Sequence, residues 1–387
     1  MHRMPLEAVR RQWGQRIFSV WLVVMPSPAP SESSPDVWLA LLMDSAIDVM
    51  ASAALRRSWR ADGKAGVTGI GFGTWAWGNQ LLWGYQPDRD DLDLEATLSA
   101  AVQGGLSLVD TADSYGTGRL NGRSELLLGQ FLRAMDPAKS QQLKVATKLA
   151  PFPWRLGRGG FKRAFAASKK RLGGHLDRIQ LHWSTARYAP WQELPLLDGL
   201  GDLVEQGLVP ELGLSNVGPK RLRFLYGHLL TRGISLQSVQ VQLSLLAPEP
   251  ILRGELAQVC QELGVELLAY SPLALGILAI PPGLGVQGTT STVLRSRLFQ
   301  RLLPASEDLR SVMGEIAVKR SASMAQVALN WCRAHGACPI PGLRRPAQAL
   351  DAAAALHWSL SAAERQELDQ LSQRTLARMP ANPFQSA

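Results

Sequence analysis

Gly105-Leu-Ser-Leu-Val-Asp110-Thr-Ala-Asp-Ser-Tyr115-Gly116 holds an apolar run of strand length that stops on a carboxylate. The helix-period stretch Leu92–Gln103 precedes it, closed by Gly104, and a second helical stretch covers Ser124–Leu132. A short strand between two amphipathic helices is the repeating unit of parallel α/β folds, because parallel neighbours need a crossover that covers the sheet. The pattern recurs in both directions. Strands are expected at Thr68–Thr74, Ser107–Asp110, Lys144–Lys148, Arg178–His182, Glu211–Ser215, Ser238–Gln242, Val265–Tyr270 and Cys338–Pro341. Helical stretches such as Phe161–Leu172, Trp191–Glu205, Pro219–Arg232 and Leu252–Leu263 separate them, with glycine after several helix ends (Gly207, Gly233, Gly264). Eight strands over roughly 300 residues fit a (β/α)8 TIM barrel, in which active sites sit at the C-terminal ends of the strands. The Gly- and Pro-rich stretch Leu275–Pro304 lacks a period and reads as a long loop after the seventh strand.

The chain has 387 residues, enough for such a barrel and an extension. Hydrophobic residues make up 46% and charged residues 19%, so most of the chain is expected to bury a core. Residues 1–60 differ from the rest. Arg10, Arg11 and Arg16 precede the apolar run Ile17–Met25 and the small-residue stretch Pro26–Glu32. That segment reads as a signal or transit segment, a disordered tail, or residues upstream of a start at Met43 or Met50. The barrel is assigned to residues 61–387. No apolar run approaches the roughly 18–20 residues that span a bilayer, and the chain is expected to be cytoplasmic with no membrane partner. The net charge of +9 comes from scattered basic residues that no aromatics interleave, so no nucleic-acid partner is expected. Cys260, Cys332 and Cys338 have neither metal-ligand spacing nor the number for a disulfide framework, and no metal site is expected.

The final residue of each expected strand carries chemistry: Asp110, Lys148, His182, Ser215-Asn216, Gln242 and Tyr270. A lone histidine at a strand end is more often structural, but a barrel brings all these ends to one face, where together they make a polar pocket. Asp110 and Tyr115 share one loop. A tyrosine holds its proton to a pKa of about 10, and the ammonium of Lys148 is expected to lower that value while Asp110 holds Lys148 in place. Tyr115 then serves as a general acid for a developing alkoxide, with a neutral His182 beside it. Water at the barrel mouth is expected around Asp110. Gly69-Ile-Gly-Phe-Gly73 is not followed by a helix whose N-terminus meets a pyrophosphate, and reads as a tight strand on the barrel floor.

These residues resemble the aldo-keto reductases, and within them the bacterial and plastid branch that includes pyridoxal reductase. The resemblance spans about Val67 to Leu371. It rests on Gly71-Phe-Gly-Thr-Trp75, Asp110-Thr-Ala-Asp-Ser-Tyr115-Gly, Ala146-Thr-Lys148, Leu181-His182-Trp183, Gly213-Leu-Ser-Asn216, Gln240-Val-Gln242, Ala269-Tyr270-Ser-Pro-Leu273, Gln326-Val-Ala-Leu-Asn-Trp331 and Pro339-Ile-Pro-Gly342. It implies an Asp110–Tyr115–Lys148–His182 tetrad that reduces small carbonyl compounds with NADPH. It also implies that Ser215, Asn216 and Gln242 hold the nicotinamide carboxamide and that Tyr270 stacks on the ring. Ser271, Leu273, Gly342, Arg344 and Gln348 complete the expected cofactor contacts, while Trp75, Trp77 and Trp183 wall the substrate pocket.

Two departures from the family pattern bear on the cofactor. The loop Ser271–Gly276 runs into Ile277-Leu-Ala-Ile-Pro-Pro282 without the lysine that many relatives place near the pyrophosphate. The Lys-Ser pair that some relatives use on the 2′-phosphate is also missing, leaving Arg344 and Gln348 for that role, or a solvated turn at Arg344-Arg345. Two other function classes stand beside the reductase: a barrel lyase with Lys148 as Schiff-base nucleophile, and an NADPH-binding regulatory subunit.

Overall fold

All eight expected strands form, in chain order. The computed structural model describes residues 69–285 and 292–386, so the extension expected over residues 1–60 lies outside the described residues. The strands are β1 (Gly71–Gly73), β2 (Leu108–Asp110), β3 (Lys144–Leu149), β4 (Arg178–Leu181), β5 (Glu211–Ser215), β6 (Leu236–Gln242), β7 (Glu266–Tyr270) and β8 (Ala337–Ile340). Each pairs in parallel with its sequence neighbour. A bridge between Gly73 and Gly342 joins the last strand to the first, with Gly73 N–H donating to Pro341 O at 2.9 Å. The sheet is thereby closed into a (β/α)8 barrel.

The crossover helices begin where the sequence pre-sets the backbone. Pro87, Pro190, Pro219 and Pro346 each open a helix, where proline's fixed φ suits the first turn and its missing N–H costs nothing. Among the described residues, no helix is long and apolar enough to cross a membrane.

Side chains alternate along each strand, so the barrel interior is built in layers. At the N-terminal ends, Arg178 bridges Glu211 at 2.7 Å and Glu266 at 2.9 Å. Above them Leu108, Ala146, Leu268, Cys338 and Ile340 form an apolar cluster with Tyr270 against it. Gly213 is a packing requirement of this interior. A Cβ there would lie 2.6 Å from Ser238 Oγ and 2.9 Å from Gln180 Cγ, so any side chain would push Gln180 out of place.

Two expectations are corrected. The glycine run of β1 does not end on the floor: Gly73 lines the cavity at the barrel mouth, as the last residue of a parallel strand must. Leu275–Pro304 is not a loop throughout, because an irregular turn covers Ala274–Ala279 and a helix covers Val293–Ala305. That helix buries Arg295, Phe299, Leu302 and Leu303. An arginine occupies the first position of its buried stripe, which hid the period that a hydrophobic residue would have revealed.

Candidate active site

Asp110 ends β2 and Lys148 lies next to the end of β3, and their side chains, 3% and 1% exposed, form an ion pair. Lys148 Nζ also donates to Thr111 O at 2.9 Å. The second carboxylate oxygen of Asp110 accepts from Gln180 Nε2 at 3.0 Å and Gln240 Nε2 at 2.8 Å. Three protein donors thus hold Asp110, which also borders the cavity at the barrel mouth. Gln180 and Gln240 were missed by the sequence reading, although a signal existed. Each lies two residues before a pocket residue, His182 or Gln242, and so faces the same way on its strand.

Tyr115 stands over this pair. Lys148 Nζ is 5.0 Å from its ring centroid, and the His182 ring lies 5.8 Å away at 70°. Burial, and then the charges of Asp110 and Asp113, push the Tyr115 pKa well above its ordinary 10.0. The expected downward shift by Lys148 is therefore not found. Asp110, in contact with that ammonium, offsets its field at the phenol, and burial disfavours phenolate. Burial also lowers the Lys148 pKa, against the pull of Asp110. The His182 pKa falls well below its ordinary value through burial and the positive charges of Lys148 and Arg155, so its ring is neutral at pH 7. Arg155 is held by Asp113 at 2.5 Å.

All four of these residues line one cavity of about 720 Å³ at the C-terminal ends of the strands. Ser215, Asn216, Gln242 and Tyr270 line it as well, followed by Ser271 and Leu273 on one side and Gly342 and Gln348 on the other. Asn216 and Ser271 sit at φ 60 and 53, left-handed values that non-glycine residues adopt uncommonly, asparagine more readily than most. Asn216 is held there by donating from Nδ2 to His182 O at 3.0 Å and to Ser215 Oγ at 3.1 Å.

The walls are aromatic. Trp75 packs edge-on against Trp83 at 6.2 Å. Trp183 stacks on Phe384 at 4.6 Å and meets Phe152, which in turn stacks on Trp154. Trp77, expected as a third pocket wall, is fully buried away from the cavity and donates its indole N–H to Leu343 O at 2.8 Å. It props the turn after β8, and the chain turns at Thr74–Trp77, where Trp77 N–H donates to Thr74 O at 2.8 Å.

The far end of the cavity holds a residue that the sequence reading did not single out. Arg295 is 8% exposed and lines the cavity. Its guanidinium lies 4.4 Å from the Trp83 ring centroid and donates to Leu275 O at 2.9 Å. Its Nε is buried without a hydrogen-bond partner, and burial lowers its pKa to about 10, aided by nearby Arg344. Arg344 does not line the cavity. It lies 6.0 Å from the same Trp83 ring and 3.8 Å from Asp90, so the two arginines approach one indole.

The profile of the aldo/keto reductase family matches residues 69–373. The chain is 46% identical over 331 residues to the chloroplastic pyridoxal reductase of Arabidopsis thaliana, covering 84% of this chain and 88% of that one. It is 31% identical over 311 residues to an uncharacterised oxidoreductase of Mycobacterium tuberculosis, covering 79% and 90%. A crystal structure of an aldo-keto reductase from Klebsiella pneumoniae in complex with NADPH is 26% identical, with a TM-score of 0.60 over 81% of this chain and 94% of that one. The profile spans most of the chain, the relatives align along nearly all of the barrel, and the barrel itself has the same fold: the chain belongs to the aldo-keto reductase family.

Proposed function

We propose that this NADP-dependent oxidoreductase reduces an aldehyde or ketone to the alcohol, with Tyr115 giving the proton. The observation that carries this is the convergence of Tyr115, Lys148, Asp110 and His182 on one cavity. NADPH supplies the hydride when bound. Tyr115 holds a proton at the cavity floor and delivers it to the carbonyl oxygen as negative charge develops there. Lys148, fixed by Asp110, offers positive charge to the phenolate left behind. Gln180 and Gln240 keep Asp110 in place, and neutral His182 orients the carbonyl oxygen beside Tyr115. Ser215, Asn216 and Gln242 are the carboxamide partners and Tyr270 the ring's neighbour.

Arg295 supports the fit of a phosphate-bearing cofactor. A buried guanidinium with an unpartnered Nε, facing a cavity and paired with no carboxylate among the described residues, is a site for an anion. A Cβ at Gly276, in the loop that lacks the usual lysine, would lie 3.4 Å from Arg295 Nη2. We assign Arg295 to the pyrophosphate and Arg344 to the 2′-phosphate. A charged hydrogen bond contributes about 1.5–3 kcal/mol, or about 10–100-fold in affinity. Arg295→Ala is expected to weaken NADPH and NADH alike by that factor, and Arg344→Ala to weaken NADPH alone. Fluorescence titrations at one fixed ionic strength check this; an Arg344→Ala loss shared by NADH removes the 2′-phosphate assignment.

The aromatic walls Trp75 and Trp183 suit a flat aromatic carbonyl compound, and pyridoxal, the compound in the plant relative's name, is of that class. The test is a panel of aldehydes and ketones with NADPH consumption followed. Pyridoxal and benzaldehyde-like compounds are expected to lead, and a panel led by aliphatic carbonyls removes the aromatic assignment. Borohydride trapping separates the lyase reading, since Lys148 is engaged by Asp110 and Thr111 O and no adduct is expected. The compartment in this reading is the cytoplasm, beside a relative named as chloroplastic; fractionation of cells expressing the full chain distinguishes the two.

A further inference from the structure

The last described residues cross the cavity that the barrel opens. From Thr375 onward they form neither helix nor strand, and Met379 to Phe384 line the cavity beside Asn216 and Tyr270. They are pinned at several points. Met379 N–H donates to Leu246 O at 2.9 Å, Ser386 N–H to Asn216 O at 3.1 Å, and Arg187 to Pro383 O at 3.2 Å. Phe384 stacks on Trp183, the wall of the substrate end.

The chemistry lies at Asn382. Its Nδ2 donates to Asn216 Oδ1 at 2.9 Å and to Tyr270 OH at 2.8 Å, and its Oδ1 accepts from Phe384 N–H at 2.9 Å. Tyr270 OH also donates to Asn216 Oδ1 at 2.9 Å. An amide side chain has two donor hydrogens and an oxygen with two lone pairs. Asn216 spends both hydrogens on His182 O and Ser215 Oγ, and both lone pairs on Tyr270 and Asn382. No capacity is left on Asn216 for another amide. Asn382 itself is a primary amide, with the donors and acceptor of a nicotinamide carboxamide.

We propose that Asn382 is a built-in occupant of the carboxamide seat and that cofactor and C-terminal tail compete for Asn216. This rests on the reading of Asn216 and Tyr270 as nicotinamide contacts. Of the four groups around Asn216, only Asn382 belongs to a segment without regular structure; His182, Ser215 and Tyr270 sit at strand ends fixed by the barrel. The tail therefore yields. When Asn382 leaves, the tail that carries Phe384 is drawn off Trp183, so the cofactor and substrate ends of the cavity open together. While the tail is seated, the apparent affinity for cofactor falls by the fraction of molecules that are open.

The test is direct binding of NADPH to the full chain, to Asn382→Ala, to Asn216→Ala and to the variant carrying both changes. Losing two neutral hydrogen bonds from the seated tail is expected to tighten NADPH binding to Asn382→Ala by about tenfold. Hydrogen exchange at the Phe384 and Ser386 amides is expected to speed up when the wild-type chain is saturated with NADPH. Equal or weaker binding by Asn382→Ala, with tail amides that become better protected, overturns the proposal and makes the tail a cover that closes over the cofactor. If adding Asn216→Ala to Asn382→Ala leaves NADPH binding unchanged, the nicotinamide reading of Asn216 fails and the competition fails with it. If Asn216→Ala weakens binding while Asn382→Ala leaves it unchanged, that reading stands and only the competition falls.

Discussion

Tyr115→Phe is expected to fold as the parent chain does, to bind NADPH with unchanged affinity, and to lose about 10²–10⁴-fold in turnover, the usual contribution of a general acid. The substitution removes one hydroxyl and no packing, since the Lys148 and His182 contacts described are with the ring itself. The pH profile sharpens the result. A phenol pushed well above 10.0 by burial and two carboxylates stays protonated at about pH 9, so reduction by the wild-type chain holds its rate there. A phenol tuned to neutrality by Lys148 would already have lost most of its protons at that pH. His182, with its pKa depressed, stays neutral throughout and adds no limb near pH 7. Steady-state rates across pH, with NADPH binding measured separately, check all of this. Turnover by Tyr115→Phe within about threefold of wild type removes the residue from the proton-donor role.

How much of this was legible in the sequence depends on which physical rule each residue obeys. The barrel was legible because parallel strands need crossovers and end on one face, so periodicity and resemblance together place Asp110, Lys148, His182 and Tyr270 at the barrel mouth. Gln180 and Gln240 obey the same two-residue alternation, but a polar residue inside a strand carries no sign of its partner, here Asp110 from a different strand. Trp77 failed for the opposite reason: a cluster of tryptophans after β1 reads as pocket wall, and only the turn at Thr74–Trp77 decides which indole points inward. Arg295 was hidden because an arginine on the buried stripe of a helix breaks the pattern that would reveal the helix. The tail contact of Asn382 with Asn216 joins residues 166 positions apart, in a segment with no period at all. Electrostatics was least legible: the Tyr115 shift is upward through burial and the charges of Asp110 and Asp113, and spacing reports none of these balances.

Lys148→Met separates the structural and chemical duties of the ion pair, and its expected effect is the larger of the two on stability. It leaves the Asp110 carboxylate, 3% exposed, with two glutamine donors and no positive partner. Breaking a buried pair from one side costs about 3–5 kcal/mol, because the remaining charge is uncompensated. Two neutral glutamine donors at Asp110 do not replace that positive charge. The double variant Asp110→Asn/Lys148→Met removes both charges and keeps an oxygen for the glutamine N–H groups. It is expected to regain at least about 2 kcal/mol of the loss, as contacting residues in one network do. Activity is expected to follow a different course. Both variants lack the ammonium proposed to stabilise the Tyr115 phenolate, so both are expected to remain at least about 10²-fold below wild type. Denaturant midpoints and turnover measured on the same four proteins of the cycle give the answer. Recovery of turnover together with stability would show that Lys148 acts only by holding Asp110. Recovery of stability alone assigns its charge to the chemistry at Tyr115.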